Sequence, residues 1–368
     1  MALLLLRTSG GEEVPQGRWL SLLALIPDTE VSRDGVAMND HGLARELFGI
    51  ERPAADVDEE GLIDYISALG VVIRPAELLV NMMMSPDASR SELGFTIAEV
   101  DFDASVLDAR EPGATGNSFT LLPGYEIVRG RIDERTVEEA LRTDPTFSDL
   151  LEQTSYNGTD YFHWGQEGGV DLTRQTMLRL LGEGRQLVIR DGTLYWTELE
   201  EDIENIIDAA GGNRASLAGR KEYQLVALAL DGLGTYTAYL SSDTANDLAG
   251  WEGSDASPDD LAPELALVPY ELIATGRALD SEGGFLAVVL VHDDEDDAAE
   301  NVIRLGQRIE AAGHISSVAR GEPVPRWSEV ITAEIVQDGR LLIAKLYPND
   351  GDVNRFRFSP FATLLLQE

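Results

Sequence analysis

The chain has no cysteine, four histidines and two lysines, Lys221 and Lys345; every other basic residue is arginine. Without cysteine there are no disulfides, thiolate metal sites, iron–sulfur clusters or cysteine nucleophiles. That absence fits any compartment and leans toward an oxidising one. No run approaches the ~20 apolar residues of a membrane span. The sequence contains no Walker-type phosphate loop, no HExxH and no GxSxG, and Gly232-Leu233-Gly234 lacks the third glycine of a dinucleotide fingerprint. Positive charge is scarce: 28 Lys and Arg face 66 Asp and Glu, a formal charge of −38. Such a balance repels nucleic-acid phosphates and anionic membranes, so nucleic acid is not expected as a partner. Three readings of the acidic surface stay open: adaptation to salt, attraction of cations or a basic partner, or plain solubility.

What is present is ordinary folded composition. The 368 residues are 43% hydrophobic, and a chain of this length exceeds the roughly 250–300 residues one core commonly serves. The clearest local signal is Gly184 to Gly212. Leu187, Ile189, Leu194 and Trp196 flank Asp191-Gly192, a type I′ hairpin signature because both turn residues need positive φ. Thr197 and Glu200 have capping-box spacing, Leu199, Ile203, Ile206, Ile207 and Ala210 form one helical face, and Gly211-Gly212 supplies the stop. Asp338-Gly339 echoes the hairpin near the C-terminus.

Elsewhere, Trp19 to Ile26, Asp40 to Phe48, Glu59 to Leu69, Pro75 to Met84, Asp133 to Leu141, Thr173 to Leu181, Leu217 to Leu230, Thr244 to Ala249 and Asp294 to Ala312 read as helices. On the last, Ala299, Val302, Ile303, Gly306 and Ile309 share a side. Gly35 to Asn39, Gly94 to Phe102, Tyr125 to Ile132, Thr159 to Trp164, Thr235 to Ser241, Tyr270 to Ala278 and Phe285 to Val291 read as strands. Glu111 to Ser118 and Trp251 to Pro263 read as loops.

The order helix, strand, helix, strand, strand, helix, hairpin occurs twice, and Leu22 to Asp40 aligns without a gap on Leu225 to Asp243. The expected fold is therefore α+β: two similar tandem units, each an antiparallel sheet with helices packed on it. The divisions are a flexible tether over 1–17, a first unit over 18–212, a linker over 213–216 and a second unit over 217–368. Ala2 to Leu6 followed by Ser9-Gly10-Gly11 looks like the tail of an export signal, which would make the protein a peripheral membrane-tethered one. A frayed cytoplasmic terminus is the alternative.

From Tyr156 to Tyr223 the succession YNGTDYFHWG, LVIRDGTLYW, TELEEDIENIIDAAGG and SLAGRKEY resembles a class of duplicated bacterial cell-envelope proteins, often lipoprotein-like, that carry a domain of unknown function. The resemblance covers the middle fifth of the chain and, by element order, the rest. It implies the fold and an extracytoplasmic location, and it transfers no site. The chain lacks the lipid-attachment cysteine of that pattern.

No catalytic constellation stands out among His41, His163, His292 and His314. Asp160 lies three positions before His163, which on a strand puts the two on opposite faces. Calcium is the one cofactor with candidate ligands. Asp293 and Asp296 belong to an acidic run whose place at a helix start also suits the helix dipole. Asp350, Asp352 and Asn354 lie in NDGDVN, a calcium-loop-like turn without the downstream bidentate Glu. Met82-Met83-Met84 reads as core filler or an adaptable surface. Trp196 reads as core, whereas Trp251 and Trp327 fall in polar stretches. The leading expectation is a non-enzymatic envelope protein with a binding or interaction role. The rivals are an acidic cytoplasmic enzyme with a site between the units and a calcium-stabilised surface module.

Overall fold

The structure, a computed structural model, describes residues 5–6, 14–15, 17–54, 57–73, 77–107, 123–176, 178–242, 266–311 and 327–353. The helix expected over Thr244 to Ala249, both loops expected at Glu111 and Trp251, and His314 lie outside these residues.

The fold is α+β. Its strands are β1 (Val36–Asp40), β2 (Val100–Leu107), β3 (Pro123–Gly130), β4 (Glu152–Tyr156), β5 (Thr159–Trp164), β6 (Arg185–Arg190), β7 (Thr193–Thr197), β8 (Thr237–Ser241), β9 (Leu272–Asp280), β10 (Gly283–Val291), β11 (Ile331–Asp338) and β12 (Leu341–Pro348). They form one antiparallel sheet in the order β11-β12-β10-β9-β8-β1-β2-β3-β7-β6-β5-β4. A separate two-residue ladder joins Leu5 to Pro15 and Leu6 to Val14.

At the middle of the sheet β1 pairs with β8, in the register Asn39 to Thr237 through Val36 to Leu240. Outward from that line the succession is the same on both sides: β1, β2, β3 and then hairpin β6–β7 entered by its second strand, against β8, β9, β10 and then β12, β11. The first half adds the β4–β5 hairpin at its edge.

Period-two alternation gives the sheet two faces, and helices cover both. On one face Val36, Met38, Ala104, Ile127, Leu240 and Val289 pack with Trp19 of α1 (Arg18–Leu23), Ile203 of α8 (Glu200–Ala210) and Val226 of α9 (Lys221–Leu233) in one core shared by the two halves. On the opposite face the first half buries Val128, Leu194 and Trp196 under α3 (His41–Phe48), α4 (Glu59–Val72), α5 (Glu77–Met84), α6 (Pro86–Leu93) and α7 (Glu134–Thr143). The second half buries Leu286, Val288 and Leu342 under α10 (Glu295–Ala311) and α11 (Trp327–Val330). A short α2 (Glu30–Asp34) precedes β1.

The halves are stitched by hydrogen bonds as well as packing. Trp19 Nε1 donates to Thr235 Oγ1 at 2.9 Å in full burial. Around the expected linker, Asp28 N donates to Ala215 O at 2.9 Å and Leu217 N to Ile26 O at 3.0 Å.

Several expectations are corrected in detail. Asp191 and Gly192 adopt φ of 52° and 70°, as a type I′ turn requires. In the second hairpin Asp338 pairs with Leu341, so the turn residues are Gly339-Arg340, and glycine alone takes positive φ. Thr197 does not form the capping box: α8 starts at Glu200, and Thr197 Oγ1 accepts from Leu199 N and bonds Asp202. Leu199 is correspondingly exposed.

The expected strand at Gly94 begins at Val100, because Thr96 and Glu99 cap a 3₁₀ turn. Among the described residues of the helix expected over Thr173 to Leu181, the helical part is a 3₁₀ turn at Leu172–Arg174. On α10 the buried stripe is Ala298, Asn301, Leu305, Arg308 and Ile309, while Ile303 is exposed. Two polar members of that stripe displaced the apolar reading.

Thr235→Val removes the acceptor of a buried indole N–H at nearly constant volume. It is expected to lower unfolding free energy by about 1–3 kcal/mol, measured by urea denaturation.

Candidate functional site

A small cleft opens where α5 crosses β3, β6 and β7. It is lined by Glu77, Leu78, Asn81, Glu126, Leu178, Leu180, Glu183, Arg185 and Trp196. About 10 Å³ inside it is open to the centre of a water-sized sphere, room for about one water.

Alternation along β3 places Tyr125 and Ile127 in the shared core and turns Glu126 to the opposite face, beside Ser105 of β2 and Trp196 of β7. That face would be solvent in a one-sided sheet. Here α5 lies over it, so Glu126 is 1% exposed. Both its carboxyl oxygens face one donor, Leu78 N, at 2.9 and 3.1 Å. Burial pushes Glu126 up to about 8, with the nearby Glu77 adding to the rise. Glu77 is itself raised, first by burial and then by Glu183 and Glu198, against the lowering influence of Arg185.

The third wall is the segment 178–184, and one arginine fixes it. Arg179 Nη1 donates to Asp144 Oδ2 at 2.7 Å and to Glu92 Oε2 at 3.2 Å. Its guanidinium lies 4.2 Å from the Phe147 ring centroid and 4.8 Å from that of Trp164. At Gly182, φ is +65° and a Cβ would meet Asp171 O, so the bend accepts only glycine. The wall's cation, Arg185, is bound to Glu198 at 2.6 Å, which leaves its Nε buried without an acceptor. Glu183 Oε2 is likewise buried without a donor.

The calcium ligands expected from the sequence do not converge here or on one another. Asp293 and Asp296 are exposed at the start of α10, and Asp294 Oδ1 caps that helix by accepting from Asp297 N at 2.9 Å. Asp350 and Asp352 are exposed in the turn after β12, where Asp352 N donates to Asp350 Oδ1 at 3.1 Å. Asn354 lies outside the described residues. Among the described residues no group of three or more His, Cys, Asp or Glu has metal-holding geometry.

The histidines divide by environment. His163 contacts Glu152 at 3.7 Å, and the exposed Asp160 accepts from Gln153 instead. His292 is buried and satisfied with its hydrogen on Nδ1: that atom donates to Arg340 O at 3.2 Å, and Nε2 accepts from Asn301 at 2.8 Å. His41 Nε2 bonds Asp103 Oδ1, and Asn39 donates to the other Asp103 oxygen at 3.0 Å. That trio is a base with its orienting carboxylate, yet all three residues are sealed from solvent.

Trp327, expected in a polar stretch, is fully buried at the head of α11. Trp251 lies outside the described residues. Met82 is core, whereas Met84 is 69% exposed.

Sequence reading passed over Glu126 and Glu77 altogether. The available signal was a glutamate inside the strand pattern YEIV, with its neighbours apolar. The Asn157-Gly158 turn of β4–β5, at φ of 47° and 80°, was equally legible and also unread.

No protein-family model and no curated protein matches the chain. Solved structures of TP0453 are similar to it. Crystal form I shares 10% identity over 93% of this chain and 97% of that one, with a TM-score of 0.38. Crystal form III shares 7% over 93% and 96%, with a TM-score of 0.36.

Glu126 has a folded pKa far above its unfolded value of 4.5, so the folded state binds the extra proton between the two. Its contribution is therefore fully present below about pH 4.5 and is lost as pH rises toward about 8, by about 1.4 kcal/mol per unit. Glu126→Gln should match the wild type near pH 4.5 and exceed its stability increasingly up to about pH 8, by several kcal/mol at most. Urea unfolding across that range measures the difference.

Proposed function

We propose that the protein is a non-enzymatic binding protein of the bacterial cell envelope, built from a duplicated α+β unit, whose cleft beside α5 receives the cationic group of a basic partner. One observation carries the reading: Glu77, Glu126 and Glu183 line one small cleft, and two of the three are held above the ordinary carboxyl range. A cation entering there favours the charged form of every carboxyl it touches, so these groups gain more from it than exposed ones do. An ammonium group is close to water in size.

The cleft's surroundings suit an amphipathic partner. Leu180 and Leu181 stand 45% and 48% exposed on one wall, and Val80 and Met84 stand 40% and 69% exposed on α5. Glu77, Val80, Asn81 and Met84 follow i, i+3, i+4, i+7 and so share one stripe of that helix. An exposed methionine adapts to varied apolar contacts. The charge of −38 steers polycations toward the surface. The envelope location and the duplication are supported by the sequence resemblance and by the repeated strand succession.

The competing reading, an enzyme with a site between the halves, is not served by the His41–Asp103–Asn39 trio, which lies wholly in the first half. The trio's exposures of 0, 1 and 3% leave no path for a substrate.

Calorimetric titration with spermidine and with a lysine-bearing amphipathic peptide tests the binding. Association is expected to weaken with salt, and Glu183→Gln combined with Glu77→Gln is expected to cost about tenfold or more in affinity. Undiminished affinity in the double variant would contradict the cleft as the site. For location, fractionation of the native host is expected to recover the protein with the envelope; recovery wholly in the cytoplasm would contradict it.

A further inference from the structure

The geometry of the cleft points to a proton-operated latch: we propose that Glu126, while neutral, holds the first turn of α5 against β3, and that its ionisation loosens α5 and opens the cleft to its cationic ligand. The identity of that ligand rests on the binding reading above; the latch itself does not.

Three features make the two states differ. The first is hydration. Among the described residues Leu78 N is the one donor that reaches Glu126. A carboxylate stabilised inside a protein ordinarily accepts two or three such bonds or faces a cation. With room for about one water the closed cleft cannot hydrate the ion.

The second is charge. The charged groups acting on Glu126 are Glu77 from α5, Asp103 from β2 and Arg185 from β6, while Glu183 lines the same cleft and, with Glu198, acts on Glu77. Two of the three are carboxyls, and Arg185 is already paired with Glu198. An added negative charge is opposed first by burial and then by Glu77 and Asp103, against the Leu78 N–H and Arg185, which favour it.

The third is the helix itself. α5 spans eight residues and is seated through Leu78, Leu79 and Met82, while Val80 and Met84 project outward. Moving its first turn withdraws the Leu78 N donor from Glu126 and widens the cleft that both residues line, which brings water to the carboxyl. Closure thus holds the proton and opening releases it, and a cation that stabilises the open, ionised cleft must release a proton when it binds. Affinity for the cation then rises with pH over the same window in which α5 loosens.

Hydrogen exchange of the full chain, at pH values from about 5.5 to about 8.5 and corrected for the intrinsic rate, tests the latch. The amides of 78–82 are expected to gain excess exchange of up to about tenfold per pH unit, levelling off above about pH 8, while those of β1 and β8 stay flat. Glu126→Gln should remove the excess, and Glu77→Gln, which takes away a repelling charge, should reduce it. If the α5 amides stay flat in the wild type, or if Glu126→Gln leaves the rise intact, the latch is overturned.

Spermidine titrated at both ends of the range separates the two proposals. A responsive α5 without spermidine binding overturns the binding reading and leaves the latch. Binding of equal strength at both ends with a flat α5 overturns the latch and leaves the binding reading.

Discussion

The pairing of Val36 to Asn39 with Thr237 to Leu240 sets the register of everything on either side of it. A shift of one residue in β1 would turn Val36 and Met38 out of the shared core and drive Ala37 and Asn39 into it, and the same slip in β8 would exchange Ala238 and Leu240 for Tyr239. The ladder is short, so packing must hold it. Trp19, at 0% exposure and bonded to Thr235, lies against both halves at once. The α1 and α9 helices occupy corresponding slots before β1 and β8 and pack on each other over the seam. The sheet is consequently one layer with helices on both faces, and that double covering dictates where polar residues become expensive.

Glu126 is one place where that expense falls on an acid. In a one-sided sheet its alternation would put it in water; here the helices between β1 and β2 roof that face. Burying a carboxyl without a cation shifts it toward its neutral form rather than leaving a bare charge. The same roof buries Arg179, but that charge is matched by Asp144 and Glu92 and by two aromatic faces, so it fixes a wall instead of frustrating it. One side of the cleft is thus fixed by the paired Arg179, and the other, α5, is held across a buried acid with a single donor. The binding and latch proposals both grow from that asymmetry.

Much of the fold was legible because it rests on local chemistry. Asp191-Gly192, the helix after it, and most of the strands on each side of the seam follow from turn residues and apolar period. What stayed hidden were the non-local facts. Nothing in the residues of β1 and β8 announces that they pair across the chain, since any two short apolar strands can. The α10 face was misjudged because Asn301 and Arg308 are buried polar residues, and periodicity counts only apolar ones. Thr197 failed as a cap because Gly124 O and Asp202 offered its hydroxyl other partners. The candidate cleft was illegible for a related reason: its members come from α5, β3, β6 and the 178–184 segment, and the acidity of Glu126 depends on a roof that pattern alone cannot place.

The β1–β8 seam and the core around Trp19 make the two halves a single cooperative body. Urea unfolding of the chain labelled with 5-fluorotryptophan decides whether they do, by following the fluorine resonances of Trp196 in the first half and Trp327 in the second. One body requires that both lose their native signal at the same urea concentration and with the same slope, as in a two-state transition. Separate midpoints, with one native tryptophan signal surviving the loss of the other, would contradict it.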